Sequence, residues 1–161
     1  MLVALYIGTH ANDKLHVRLA WYLTRLAQKG PLDIVTHVEA IHAQHADGTV
    51  TIASASLRDK GVRVKRVALN PLHWIIVDVP QWKVANSILW FAKHLNELYD
   101  IRGALATVLP GSSVSDRWFC NESVGASIGL LYPETFGPHQ FASVALTLGT
   151  DITDQFFGVG S

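Results

Sequence analysis

The chain has 161 residues, of which 49% are hydrophobic, and its 13 basic side chains balance its 13 acidic ones. This length and composition predict one folded domain over residues 1–161 and argue against global disorder. A formal net charge of zero provides no general electrostatic field, so neither nucleic acid nor anionic lipid is expected as a partner. The single cysteine excludes an internal disulfide and a zinc site built from cysteines alone.

The hydropathy pattern gives no sign of a membrane span or a secretion signal. No stretch approaches the ~18 uninterrupted apolar residues of a membrane helix. The apolar run at residues 2–7 is short and has no basic segment before it. The sequence therefore predicts a protein that is cytoplasmic on synthesis.

The first half of the chain is predicted to be mostly strands. A short buried strand at residues 2–8 precedes an amphipathic helix at residues 13–30, which Asp13 can cap and Gly30 can end. Apolar or alternating segments, the first three separated by the turn sequences ADG and RDKG, then predict further strands at residues 34–43, 49–56, 62–69 and 72–79. We expect these four strands to form an antiparallel meander.

The second half is predicted to be mostly helical. The clearest helix covers residues 81–100, and a later one covers residues 115–131 with Ser115 or Asp116 as its cap. The predicted apolar stripe of the first of these consists of Trp82, Ala85, Leu89, Ala92 and Leu95. A loop with a short final helix follows, and residues 146–161 form a Gly-rich C-terminal tail. The pattern as a whole predicts an α+β fold in which an antiparallel sheet packs against helices.

Two polar residues on an otherwise apolar strand are the first candidate site residues. Alternation places His37 and Glu39 on the same face of the strand at residues 34–43, about 7 Å apart along it. A carboxylate that is buried without a partner is costly, and His37 could be that partner. A histidine oriented by a polar group is also the usual activator of a nucleophilic thiol.

Cys120 is the candidate nucleophile. With Ser115 or Asp116 as the cap, it lies about one turn into its helix, where free N–H groups and the helix dipole favour a thiolate. Glu122 should point away from the thiol and is interpreted as a partner of the helix dipole. A lone cysteine on a helix is usually a buried core residue, so that interpretation stays open beside the catalytic one at this stage.

Other polar groups are weaker candidates. His42 and His45 could form part of a metal site, but His42 lies on the opposite face from His37 and a DG turn follows His45. We therefore expect no metal and no other cofactor. The basic run RVKR at residues 63–66 alternates along a strand and is interpreted as a solvated face.

Four segments resemble the circularly permuted papain-like cysteine hydrolases of the NlpC superfamily, especially the small versions found in bacteriophage genomes. THVEAI resembles the family's histidine strand, and ASASLRDKGVRVKR resembles the hairpin that follows it. YDIRGAL is similar to the turn after the long helix. RWFCNESVGASIGL, the fourth, is similar to the helix that opens with an aromatic-Cys-x-Glu motif. Beyond these four, GPHQFASVAL occupies the place of the family's final short helix. The resemblance covers residues 2–145 in order.

The resemblance implies a permuted papain-like fold with the nucleophile on a late helix. It implies that Cys120 is the nucleophile and His37 the general base of a hydrolase that forms a thioester. The third polar residue departs from the family, because the strand after the histidine strand offers only Thr and Ser; Glu39 is the best acidic candidate.

The resemblance also leaves more than one function open. Relatives act on peptidoglycan stem peptides, so the expected substrate is a peptide or peptidoglycan-like amide, and other permuted branches act on lipid esters or amides. A noncatalytic structural or assembly protein of a phage particle is the alternative from a different class. In that case phage particle proteins would be its partners, and the chain could be incorporated in a virion after synthesis in the host cytoplasm.

Overall fold

The computed structural model describes residues 1–8, 34–106 and 117–159, together with the single positions Leu15, Arg18, Tyr22 and Leu32. The architecture is α+β. Within the described residues, eight strands form one mixed sheet in the order β7-β6-β4-β3-β2-β1-β5-β8. The strands are β1 Leu2–Tyr6, β2 His37–Gln44, β3 Val50–Ser56, β4 Gly61–Val67, β5 Trp74–Asp78, β6 Leu98–Tyr99, β7 Arg117–Trp118 and β8 Thr150–Asp151.

The helices follow mainly in the second half of the chain, as the sequence predicts. They are α1 Val84–Lys93, α2 Ile101–Ala106, α3 Cys120–Ser127, α4 Pro138–Leu148 and α5 Thr153–Phe157, with a 3₁₀ turn at Pro133–Thr135. The predicted helix at residues 13–30 lies outside the described residues, apart from Leu15, Arg18 and Tyr22. The proposed caps Ser115 and Asp116 also lie outside them.

The predicted four-stranded meander is only partly correct. Strands β2, β3 and β4 do follow one another as antiparallel neighbours. Strand β5, however, pairs with β1 on the other side of β2, with Val3 opposite Val77. The sheet is also mixed, because β6 and β7 run parallel to each other. Pairing β5 with β1 places β1 and β2 in the middle of the sheet, where both of their edges are bonded.

Alternation along the strands divides the core into two layers. Helices α1, α3 and α4 cover one face of the sheet. Its core consists of Val3, Leu5, Val38, Ala40, Ala53, Ala55, Val62, Val77, Phe91, Val124, Phe141, Ala142 and Ala145, among others. The core of the opposite face consists of Ala4, Ile41, Val50, Ile52 and Ile76, with Ile152, Phe156 and Phe157 among the residues packed against it.

The second layer shows that the C-terminal residues are not a plain tail. Strand β8 adds to the sheet beside β5, and the hydroxyl of Thr153 accepts a hydrogen bond from the Ile76 N–H at 2.9 Å. Helix α5 thereby carries Phe156 and Phe157 onto the sheet face opposite α1, α3 and α4. Within the segment predicted as a Gly-rich tail, residues 150–157 thus form a strand and a helix that pack on the sheet.

The predicted helix at residues 81–100 is shorter than expected, and its buried face is different. Helix α1 ends at Lys93, after which Asn96 adopts a left-handed conformation and the chain enters β6. The buried side chains of α1 are Ser87 and Phe91, whereas Leu89 of the predicted stripe is 71% exposed. None of the helices in the described part of the chain combines the length and apolar character that a bilayer span requires.

Candidate active site

Strand β2 presents His37 and Glu39 side by side, as alternation predicts. Nε2 of His37 lies 2.8 Å from Oε1 of Glu39, so the two side chains make a direct hydrogen bond. Glu39 is 1% exposed, and the side chain of His37 keeps 20% of its surface in contact with solvent. The carboxylate is therefore the buried member of the pair, and the imidazole is the accessible one.

Arg63 on β4 is a second partner of the buried carboxylate. Its Nη1 donates to Oε2 of Glu39 at 2.6 Å, and its Nη2 donates to Oε1 in a short contact, so the pairing is bidentate. The register explains the meeting: Arg63 is opposite Ser54 on β3, and the pairing of Ala40 with Ala53 places Glu39 next to that position on the far side. A guanidinium can reach across one strand, because strands lie about 4.8 Å apart.

The interpretation of residues 63–66 as a solvated face was wrong for Arg63, whose side chain is only 13% exposed. Its Nε also donates to Asp59 at 2.8 Å, and Asp59 in turn accepts from Lys65 at 2.7 Å. The signal that could have found Arg63 is the cost of burying Glu39. A histidine that also serves a nucleophilic thiol cannot by itself balance a buried carboxylate in every protonation state, so a further cation from a nearby strand is expected.

Cys120 is the first residue of α3, which differs from the predicted position about one turn into a helix. The cap residue is Phe119, in an extended conformation. The sulfur of Cys120 lies near enough to the His37 ring for a negative charge on Cys120 to raise the pKa of the imidazole. Since Nε2 of His37 is engaged by Glu39, Nδ1 is the nitrogen left for the sulfur. The structure thus brings Cys120, His37 and Glu39 into one neighbourhood.

A hydrogen bond between helix α3 and the sheet sets the position of the thiol. The paired stretch of β2 and β3 ends at Ala40 and Ala53, and the N–H of Ala55 beyond it donates to the hydroxyl of Ser123 at 2.9 Å. The same hydroxyl donates to the carbonyl of Cys120 at 2.8 Å. Ser123 therefore joins the first turn of the helix to the strand next to β2.

Opposite charges at this site shift the pKa values of His37 and Glu39 in favour of their charged forms. Burial by itself would lower the pKa of His37, but the negative charges of Glu39 and of a Cys120 thiolate outweigh it and raise the pKa to about 9. Burial would likewise raise the pKa of Glu39, but the guanidinium of Arg63 and the ring of His37 lower it to about 2. At neutral pH the carboxylate is therefore charged, and the ring carries its proton.

Further groups surround the thiol. When Cys120 carries its proton, its S–H donates to Oδ1 of the buried Asn121 at 3.5 Å. Tyr99 lies close enough to be affected by a charge on Cys120; burial, followed by that charge, raises its pKa well above the usual value and keeps the phenol protonated. Phe119 donates its N–H to Glu122 at 3.2 Å, so Glu122 closes the first turn of the helix, in keeping with a role at the helix terminus.

The two histidines that were considered for a metal site are engaged elsewhere. His42 makes a hydrogen bond to the Ser87 hydroxyl on α1 at 2.9 Å, and burial lowers its pKa to about 4. His45 makes a hydrogen bond to the Thr51 hydroxyl at 2.9 Å. Across the described ranges, no three His, Cys, Asp or Glu residues form a group that could hold a metal ion.

Comparison with known proteins found no match: no protein-family model, no curated protein and no solved structure matches the chain.

Proposed function

We propose that this protein is a thiol hydrolase with a permuted papain-like fold, in which Cys120 is the nucleophile, His37 the acid and base, and Glu39 the residue that orients His37. The observation that carries the proposal is the hydrogen bond of the His37 ring to a buried carboxylate, with the Cys120 sulfur near enough to affect the charge of the same ring. That arrangement of nucleophile, base and orienting group defines covalent hydrolysis in unrelated folds.

In the proposed mechanism His37 takes the proton of the Cys120 thiol. The thiolate attacks the carbonyl carbon of an amide or ester and forms a tetrahedral oxyanion. His37 then donates its Nδ1 proton to the leaving amine or alkoxide, and a thioester to Cys120 remains. Water attacks the thioester while His37 takes its proton, and the thiolate is released with the carboxylic acid product.

The start of helix α3 offers a donor to the oxyanion. Because Cys120 is the first helical residue, its N–H has no partner within the helix; the first such bond runs from the Ser123 N–H to the Phe119 carbonyl. An N–H at this position, together with the positive end of the helix dipole, points to the region where charge develops on the substrate.

The substrate class comes from the resemblance in sequence. The resemblance to phage-type members of the NlpC superfamily favours a peptide bond of peptidoglycan as the substrate. The lipid ester or amide bonds that other permuted branches cleave are the next candidates. A particle protein without catalytic activity on the same fold is the alternative, and the low exposure of Cys120, 4%, is the observation on its side. The two are separated by the reactivity of the thiol.

The first test is the rate at which iodoacetamide alkylates the native protein between pH 5 and 10. Free thiols react mainly near and above their pKa of about 8.5, whereas a thiolate paired with an imidazolium reacts at much lower pH. We expect a plateau of reactivity below pH 8 that His37→Ala abolishes. His45→Ala is the matched control, since the His45 ring makes its hydrogen bond to the Thr51 hydroxyl, just beyond the far end of β2 from His37.

The second test is turnover. Peptidoglycan fragments, a lipid ester and a lipid amide are incubated with wild type and with Cys120→Ala, and new amines, acids and alcohols are measured. Cleavage of one substrate that requires Cys120 identifies the bond. Alkylation that occurs only after denaturation, together with no turnover, would leave the noncatalytic particle protein as the function.

A further inference from the structure

The guanidinium of Arg63 is held in place from two sides. Nη1 and Nη2 contact the two oxygens of Glu39, and Nε donates to Asp59 at 2.8 Å, in the turn between β3 and β4. Asp59 is held in turn by Lys65. A planar fork with this many fixed donors restricts the plane and the position of the carboxylate that it binds.

The carboxylate has little else to restrict it. Oε2 of Glu39 receives its hydrogen bond from Arg63, and Oε1 is shared between Arg63 and His37. If the carboxylate rotated, Oε1 would leave Nε2 of His37, and the ring would lose the contact that fixes which nitrogen faces Cys120. The orientation of the imidazole thus depends on Arg63 through the Glu39 carboxylate.

We propose that Arg63 is a positioning residue of this site, which clamps the Glu39 carboxylate so that Glu39 holds the His37 ring against the Cys120 thiol. The inference rests on the proposed function, because it concerns the reactivity of the same thiol. It predicts that the reactivity of the Cys120 thiol depends on a chain of four side chains: Arg63 on β4, Glu39 and His37 on β2, and Cys120 itself on α3. A lysine cannot replace the arginine fully, because an ammonium is a point charge without a fork.

The test measures the alkylation rate of Cys120 against pH in Arg63→Lys and Arg63→Met. In wild type the carboxylate stays charged throughout the acid range, so the acid limb of the profile reports the Cys120 and His37 pair alone. Without the fork, burial favours the neutral form of Glu39, and the acid limb should move to higher pH. At pH 6 we expect Arg63→Lys to react roughly tenfold more slowly than wild type, the lower end of what outer partners of a histidine contribute.

Controls separate positioning from general damage. Arg66→Lys changes an arginine on the same strand that pairs with Asp47 at the surface, and its profile should overlay that of wild type. Circular dichroism and thermal melting monitor folding. If Arg63→Met does not fold, the double variant Glu39→Gln/Arg63→Met, which removes both charges, replaces it as the variant without the fork. The outcome is then decided by Arg63→Lys alone.

The results distinguish the two proposals. A profile of Arg63→Lys that overlays wild type, while His37→Ala loses reactivity, overturns the role of Arg63 and leaves the hydrolase proposal standing. No His37-dependent reactivity in wild type overturns both. An acid limb that moves in Arg63→Lys but not in Arg66→Lys supports positioning, since a loss of stability alone would not shift the titration.

Discussion

Removal of one hydroxyl at the junction of helix α3 and strand β3 should weaken both the fold and the site. In Ser123→Ala the N–H of Ala55 loses its acceptor, and both positions are fully buried. A buried donor left without a partner costs about 1–3 kcal/mol. The Cys120 carbonyl loses a donor as well, but it still accepts within the helix, so this loss adds little. We expect the free energy of unfolding to fall by about 2 kcal/mol.

Urea unfolding followed by tryptophan fluorescence measures this change, and a constant dependence on urea concentration would show that the unfolded state is unaffected. Ser143→Ala is the matched control. Ser143 makes the same kind of bond to a helix carbonyl, that of His139 at 3.0 Å, but on an exposed face of α4, so its loss should stay within about 0.5 kcal/mol. If Ser123→Ala proved as mild as this control, the junction between Ser123 and Ala55 would not hold the helix in place.

Three further predictions concern buried charge and close contact. Burial opposes the lowering, but Arg63 and His37 hold the pKa of Glu39 at about 2, so its stabilising contribution is present above the unfolded value of about 4.3 and is lost as the pH falls toward 2. Acid titration of the unfolding free energy should show this loss in wild type and not in Glu39→Gln/Arg63→Met. Burial raises the pKa of Glu122 to about 7 despite the bond from the Phe119 N–H, so stability should decrease on the order of 3 kcal/mol as the pH rises from about 4.3 to 7. Urea titrations at pH 5 and 8 should show that Glu122→Gln removes this slope, and a slope that persisted would exclude Glu122 as its source. A methyl group at Gly61 would lie 2.1 Å from the Glu97 carbonyl oxygen, so Gly61→Ala should destabilise the protein by about 3 kcal/mol, seen as a lower melting temperature.

The positions of the strands in the sequence could be predicted better than the order in which the strands pair in the sheet. Period-two alternation and turn residues located β2, β3 and β4 within a few residues of their observed ends. The pairing of β5 with β1 could not be predicted this way, because alternation defines faces and leaves the order of strands open. The buried face of α1 was missed for a related reason. Apolar residues surround most of that helix, so periodicity could not single out Phe91 over Leu89.

For the site, the geometry of His37 and Glu39 followed from sequence because both lie on one strand. Their shared face was predicted, and they form a hydrogen bond there. Arg63 could not be found in the same way, since its contact with Glu39 depends on the register of three strands. The local pattern VRVKR is typical of an exposed edge, and only the unbalanced charge of a buried Glu39 indicated that one of its cations is needed inside.

The place of the sulfur depends on how one helix is seated on the sheet. Where the pairing of β2 and β3 stops, the N–H of Ala55 needs an acceptor, and Ser123 provides it. Cys120 lies three residues earlier, almost one full turn, and therefore on the same side of the helix. A shift of one residue would rotate the thiol by about 100° and remove it from the ring of His37. The hydrogen bond that the Ala55 N–H requires thus selects the helix register that brings the thiol near the imidazole.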